Sequence, residues 1–429
     1  MGHPSASSFD FAAVLRIGDV ISWPQAIGEP RGLTRALMSQ KDFLPSGVRL
    51  FVGMLAGDTL APRNLHPFSV FGLNGAGSNR RLTAAGLIDI IPTHVSQVPE
   101  LLRRHIIPVD VALIRARPMP ETGVYSVGVI CDFTQAMIQS ARCVIAEIDE
   151  RLPLTRHDAL VQAQDIDHFV IADGDEILMP DPEPSSTEVA VARRVAELIP
   201  DRATVQLGIG TLPVAVGRAL FHHRDLGVHS GVVSDVFVDL VERGVVTNAY
   251  RGLDAGLSTI GGLFGTRRLL DHAHDNPAIA LKSVEYTHSP ATMAQLHALH
   301  TINSAIEIDL SGQANSEIAG GRYLGAVGGQ VDFVRGARVS RGGRSIFAIP
   351  STTPDGKNSR IVASLGGRPV TTARSDIDVV VTEFGVAELW GQPLSVRAER
   401  LAAIAHPDFR ESLLAAVHSA SAAQHMAAQ

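Results

Sequence analysis

Between Leu87 and Glu147 short apolar runs alternate with segments of helical spacing, and this alternation constrains the fold more than any other feature. Leu87–Pro92, Val109–Arg115, Tyr125–Ile130 and Cys143–Glu147 read as strands, with helices at Val95–Arg104 and Phe133–Ala141. Strands separated by helices form βαβ units in a mostly parallel sheet. Their near-continuous apolar character predicts a sheet covered on both faces. Upstream, residues 1–8 read as a disordered leader and Phe9–Arg16 as a helix. A strand at Gly18–Trp23, a helix at Gly32–Gln40, strands at Val48–Leu55 and Phe68–Phe71 and a loop at Gly72–Gly77 follow. Asp167–Ile171 extends the strand series.

Leu178–Thr187 holds three prolines and no apolar periodicity, the mark of a linker. Beyond it the alternation resumes. Helices are predicted at Glu188–Leu198, Pro213–Phe221, Asp235–Glu242, Leu394–Ile404 and Phe409–His418. Strands are predicted at Thr204–Leu207, Gly227–Val228, Ser345–Pro350, Arg360–Val362 and Val379–Thr382. The chain therefore divides into two α/β halves, residues 1–184 and 185–429.

Composition narrows the function. The 429 residues are 45% hydrophobic and 19% charged, and the formal net charge is −7. With no Lys/Arg run, these values argue against a nucleic-acid partner. Cys131 and Cys143 lie in apolar surroundings, which speaks against a disulfide framework and against a cysteine metal site. Neither a signal peptide nor an apolar run of membrane-spanning length is evident, so a cytoplasmic protein without membrane contact is expected.

Two glycine clusters carry candidate chemistry. Gln206-Leu-Gly-Ile-Gly-Thr-Leu-Pro213 follows a strand and opens a helix, a turn that brings backbone N–H groups close to a phosphate or a carbonyl oxygen. It lacks the Gly-Lys-Ser/Thr of a P-loop and the third glycine of a dinucleotide fingerprint. In Gly325-Ala-Val-Gly-Gly-Gln-Val-Asp-Phe333, the adjacent Gly328 and Gly329 permit closer approach than any other pair.

These clusters stand in order with Gly28-Glu-Pro30, Val98-Pro99, Pro108–Leu113, Ile145-Ala-Glu147, Asn303–Gln313, Ile349–Thr352, Val381–Leu389 and Ile404–Arg410. Together they resemble the acetyl-CoA hydrolase/transferases, a branch of the class I CoA-transferases that includes 4-hydroxybutyrate and butyrate:acetate CoA-transferases. The resemblance runs over nearly the full length. It implies two similar domains, each an open, mostly parallel sheet flanked by helices, with the active site in the cleft between them. It also implies an enzyme acting on an acyl-CoA thioester. Coenzyme A would be a co-substrate, with no tightly bound cofactor and no metal. The partners would be an acyl-CoA and a small carboxylate or nucleophile, and the assembly a homodimer or homotetramer.

The family's mechanism uses a glutamate nucleophile in a loop of the form Gly-Ile-His-Ser/Thr-Glu-Met-x-Ser-Asp-Gly. Here the loop reads Gly227-Val-His-Ser-Gly-Val-Val-Ser-Asp-Val236, with Gly231 at the glutamate position. Val236 replaces the usual glycine, and Phe384 stands where Tyr is common. The expected reaction is thus an attack on the thioester by water, an amine or a hydroxyl, with release of CoA. The alternatives are a CoA-transferase using another carboxylate and a non-catalytic acyl-CoA-binding protein.

By this resemblance Gly325, Val327, Gly328, Gly329 and Gln330 form the oxyanion and CoA turn, and Gly208, Gly210 and Pro213 line the same cleft. His229 is either the acid/base or a brace for the loop, and Ser230 is either a nucleophile or a hydrogen-bonding turn residue. Asp235 reads as a helix N-cap and Glu383 as a pocket-lining or structural residue. His288 falls where the family often carries Asn. It is either a private feature of this chain or a surface-loop histidine.

Overall fold

The computed structural model describes residues 3–120 and 123–416. Two large sheets organise them. Across the first, the parallel strands run His168–Ile171, Cys143–Ile148, Val111–Pro118, Val20–Ser22, Arg49–Val52, Ser69–Gly72 and Ile88–Ile90. Val124–Ser126 and Leu160–Gln162 add an antiparallel flap to this sheet. Across the second, the parallel strands run Val379–Thr382, Arg344–Ala348, Leu299–Asn303, Thr204–Gln206, Gly227–Val233, Ser258–Leu263 and Ile279–Leu281. Numbered by chain order, the core strands of both sheets read 7-6-5-1-2-3-4. The halves are two copies of one α/β plan, as the resemblance implied.

The reason is local. Val111, Ala112, Leu113 and Ile114 are all buried, as a strand covered by helices on both faces requires. The helix after the linker, Ser186–Glu197, starts where Ser185 and Glu188 form a reciprocal capping box. In both halves the strand order reverses beside the first strand. The C-terminal edges at such switch points are where α/β sheets bind ligands.

The halves are joined by backbone. Cys131 N–H donates to Gly261 O (2.9 Å) and Leu263 N–H to Val129 O (2.9 Å). Gly75 N–H donates to Gly325 O (2.8 Å) and Val95 N–H to Gly328 O (3.0 Å). Arg156–His157, from the first half, pairs in parallel with Ile279–Leu281 at the edge of the second sheet.

Several expectations are corrected. Residues 3–8 are no disordered leader: Ser5 bridges Ile171, and Ala6 is buried. Phe9–Arg16 is not a helix but holds a single 3-10 turn, Phe11–Ala13, capped by Asp10. Gly227–Val233 is one continuous strand, so the segment read as a loop around position 231 is strand body. Ser234 rather than Asp235 is the N-cap of Asp235–Glu242, and the Asp235 carboxylate instead accepts from Thr266 N–H and Oγ–H. Residues 407–416 are helical, and the end of the helix expected at Phe409–His418 lies outside the described residues.

Candidate active site

Where the two switch points face each other lies a cavity of about 340 Å³. Gln25, Met54, Asn74 and Asp132 line it from the first half. Gln206, Gly231, His288, Asn303, Gly328 and Gly329 line it from the second. Its ionisable lining side chains are Asp132 and His288, with no Lys or Arg among the described residues.

Gly231 sits in the wall with no side chain, and His288 fills the adjoining space. A Cβ on Gly231 would stand 3.0 Å from His288 Cε1 and 3.2 Å from Nε2. A Cβ on Gly329 would stand 2.3 Å from Nε2, so both glycines are what admit the imidazole. The ring packs on Phe333 with centroids 4.5 Å apart. His288 closes the short helix Val284–Thr287, and its Nδ1 lies 2.9 Å from Thr287 Oγ1. The Thr287 hydroxyl donates to Ser283 O (3.1 Å), so Nδ1–H donates to the hydroxyl oxygen. That leaves Nε2 as a lone-pair acceptor with no partner among the described residues. Burial, and then the neighbouring His229, push the His288 pKa down to about 3.

His229 is placed differently. It is fully buried and both ring nitrogens are occupied. Nε2–H donates to Thr287 O (2.8 Å), and Nδ1 accepts from Arg251 Nη2 (3.0 Å). Burial and the Arg251 charge hold its pKa at about 3. Arg251 is itself fully buried, donating to Thr259 Oγ1 (2.8 Å) and to the Leu257 carbonyl. His229 therefore braces the peptide that carries His288. Ser230 faces away from the cavity, its hydroxyl 2.7 Å from the carbonyl oxygens of Leu207 and Val232.

The Gly325–Gln330 turn adjoins the His288 ring at Gly329. At Gly325 a Cβ would fall 1.9 Å from Ser316 O, which excludes any other residue. Gly328 takes φ +56°, and Gly329 caps the ten-residue helix Gln330–Val339. The first-turn N–H groups of that helix have no intrahelical partner and start at the cavity. Val327 is half-buried and does not line it. The Gln330 side chain is tied down, donating to Ser304 O (2.6 Å) and accepting from Ser316 and Thr372 hydroxyls.

Gly210 and Pro213 line a neighbouring groove of about 620 Å³, with Arg360 on its far side. Gly208 and Pro213 line a recess beside it. Arg360 has no ion pair among the described residues, and burial lowers its pKa. Glu383 lines neither space. It accepts from Ser351 N–H (2.9 Å) and Oγ–H (2.6 Å), fixing the rim.

Sequence reasoning did not single out Gln25, Asp132, Gln206 or Asn303. Asp132 caps the helix Thr134–Ser140 from two residues upstream, accepting from Phe133 N–H, Thr134 N–H and the Thr134 hydroxyl. Its second oxygen accepts from Gln25 Nε2 (2.8 Å). Burial raises its pKa. Gln206 Oε1 and Asn303 Nδ2 are buried without partners at the cavity wall. Their positions at the ends of adjacent strands, on the quoted motifs, were the available signal.

The relatives agree with this architecture. The acetyl-CoA hydrolase/transferase N-terminal domain family matches residues 6–180, and the corresponding C-terminal domain family matches residues 265–417. The 4-hydroxybutyrate coenzyme A transferase of Clostridium kluyveri is 39% identical, over 92% of each chain. RipA from Yersinia pestis superposes with a TM-score of 0.89 at 32% identity, covering 96% of each chain. The 4-hydroxybutyrate CoA-transferase of Porphyromonas gingivalis superposes with a TM-score of 0.81 at 33% identity, covering 97% of each chain. The chain belongs to the acetyl-CoA hydrolase/transferase family, whose members act on acyl-CoA thioesters with CoA as co-substrate. No helix among its described residues is long and apolar enough to cross a membrane.

Proposed function

We propose that this enzyme binds an acyl-CoA between its halves and releases CoA by direct attack of water, an amine or a hydroxyl on the thioester, without a glutamyl-CoA intermediate. The observation that carries the reading is the pairing of Gly231 with the His288 ring, which occupies the space a longer side chain at 231 would enter. A different carboxylate nucleophile is disfavoured. Asp132, the carboxylate on the cavity wall, already accepts four hydrogen bonds from Gln25, Phe133 and Thr134. The lack of a lining cation likewise disfavours a free carboxylate co-substrate in this cavity.

In this reading the first-turn N–H groups after Gly329 stabilise the tetrahedral oxyanion, worth roughly 3–4 kcal/mol per well-placed donor. The larger groove takes the CoA tail. Arg360 and the N-terminus of Thr211–Ala219 face its phosphates. The chain, divided into halves 1–184 and 185–429, is read as a cytoplasmic protein whose copies assemble as a homodimer or homotetramer, and light scattering on the purified chain tests the assembly.

Incubation with acetyl-CoA and acetate, followed by borohydride or hydroxylamine, tests the mechanism. The expected result is free CoA with no modified residue. A CoA-dependent modified glutamate would sink the reading.

A further inference from the structure

We infer that His288 is the general base of this site: its Nε2 takes the proton of the attacking group and returns it to the departing CoA sulfur. The inference rests on the reading above and assigns its missing proton acceptor.

Four observations converge. Nε2 is the ring atom nearest Gly329 and, together with Cε1, adjoins Gly231, so it borders the position the family's nucleophile would occupy. The other nitrogen is committed to Thr287, whose hydroxyl is committed to Ser283, which fixes the tautomer with the lone pair on Nε2. The ring cannot swing freely, because Phe333 packs against it at a tilt of 56° and Arg251–His229–Thr287 pins its peptide. Finally, Gly329 both adjoins Nε2 and caps the helix Gln330–Val339, whose first residue lines the cavity and whose first-turn N–H groups lack intrahelical partners. A proton acceptor and oxyanion donors thus share one wall, the arrangement acyl transfer needs.

The step balances without a further reactant. The nucleophile's oxygen or nitrogen bonds to the thioester carbon as its proton passes to Nε2. The carbonyl electron pair moves to oxygen against the helix N–H groups. When it returns, the carbon–sulfur bond breaks, and Nε2–H protonates the thiolate. The products are acylated nucleophile, or free acid when water attacks, and CoA thiol.

The surroundings favour neutral imidazole in the resting enzyme. Behind the ring stand His229 and the Arg251 cation. Asp132 lies on the facing wall, and Asp332, itself pushed up by burial, starts the next helix. Glu285, on the ring's own helix, is exposed and paired with Arg103, and Tyr286 donates to Asp254. A developing oxyanion restores proton affinity only during the reaction. The free enzyme therefore stays competent well below the usual histidine range.

The test uses the full chain with acetyl-CoA and 4-hydroxybutyryl-CoA, reading thiol release. H288A should lose about 10²–10⁴-fold in kcat while KM stays within about threefold. Added imidazole should restore turnover, with a pH dependence that follows the imidazole. Wild-type kcat/KM should stay flat from about pH 8 to about pH 5 rather than fall through about 6.5. H288N, close in size, should lose kcat similarly and keep the wild-type melting temperature. If H288N turns over normally while no adduct is trapped, the base assignment fails and the proposed function stands. A kcat loss that imidazole does not restore and that comes with a raised KM also overturns it. A trapped glutamyl adduct, or no CoA release from either thioester by wild type, removes the proposed function and the base with it.

Discussion

Each half of the molecule has a glycine on or just after its second strand, and in each a side chain from elsewhere fills the space a Cβ would take. In the first half it is Gly53, just past Arg49–Val52. A Cβ there would fall 2.3 Å from Gln25 Cγ. In the second half it is Gly231, with His288 at 3.0 Å. The fillers differ in one respect. Gln25 is satisfied at both ends, accepting from Met54 N–H (2.9 Å) and donating to Asp132 (2.8 Å). His288 is satisfied at one end only, with Nε2 open to the cavity. One copy of the plan uses the space beside a glycine to lock a wall, and the other, on the proposed reading, uses it to present a base. Reactive chemistry therefore sits where hydrogen bonding is left incomplete, and duplicated topology does not imply duplicated function.

The largest effect that would break this comparison is a switch of reaction. Gly231→Glu alone should not yield CoA transfer to acetate, because the His288 ring occupies the carboxylate's path. Gly231→Glu with His288→Asn should yield transfer and a trappable adduct. Transfer by the single variant would show that the imidazole is no obstacle.

Next in size is the brace. Arg251→Ala strips the fully buried partner from His229 and should cost about 3–5 kcal/mol in urea unfolding. Gln25→Ala in the other half removes two hydrogen bonds and should cost about 1–3 kcal/mol. Equal losses would mean that the second half's histidine is no better braced than the first half's glutamine.

The halves should also respond to pH with opposite sign. Burial raises the Glu147 pKa to about 7, above its unfolded value, so the folded state holds a proton that the unfolded chain has released. Stability from this group is present at low pH and lost as pH rises through about 7. His229 is depressed to about 3, so its contribution is present above its unfolded pKa near 6.5 and lost as pH falls toward 3. Glu147→Gln should remove the decline on the alkaline side, and His229→Asn should flatten the acid side. Urea midpoints across pH read both slopes.

The smallest contrast is steric. Gly53→Ala meets a side chain anchored at both ends and should destabilise by about 1–3 kcal/mol. Gly231→Ala asks the His288 ring to move only a few tenths of an ångström and should cost under about 1.5 kcal/mol, read as a shift in melting temperature.

What was legible in the sequence follows the same physics. Val379–Thr382 and Leu394–Ile404 have the bounds their apolar patterns predict: the strand is buried throughout, and the helix buries Ala398, Leu401, Ala402 and Ile404. The apolar pattern predicts only Gly227–Val228 of the strand Gly227–Val233, because His229 and Ser230 are polar. Their burial depends on Arg251 and on the Leu207 carbonyl, partners that local pattern does not show. Ser258–Leu263 and Leu299–Asn303 escaped notice for a similar reason, with Gly261, Gly262, His300 and Thr301 interrupting the apolar run. The flanking motifs draw attention to Gly231. That the His288 ring packs beside it could not be read from them, since this depends on how the connection from Ile279–Leu281 to Leu299–Asn303 folds back on the sheet.

The pairing of Arg156–His157 with Ile279–Leu281 has a mechanical consequence. This stitch ties the first half's chain into the second half's sheet edge. A hinge that parted the two halves would have to tear a parallel ladder as well as the Val129–Asp132 contacts with Gly261 and Leu263. The gap between the halves is therefore set at folding. On the proposed reading a thioester threads in along the groove beside Arg360, acyl end first, and CoA leaves by the same route. Turnover would then be paced by the slide of a long nucleotide tail rather than by the opening of a clamshell.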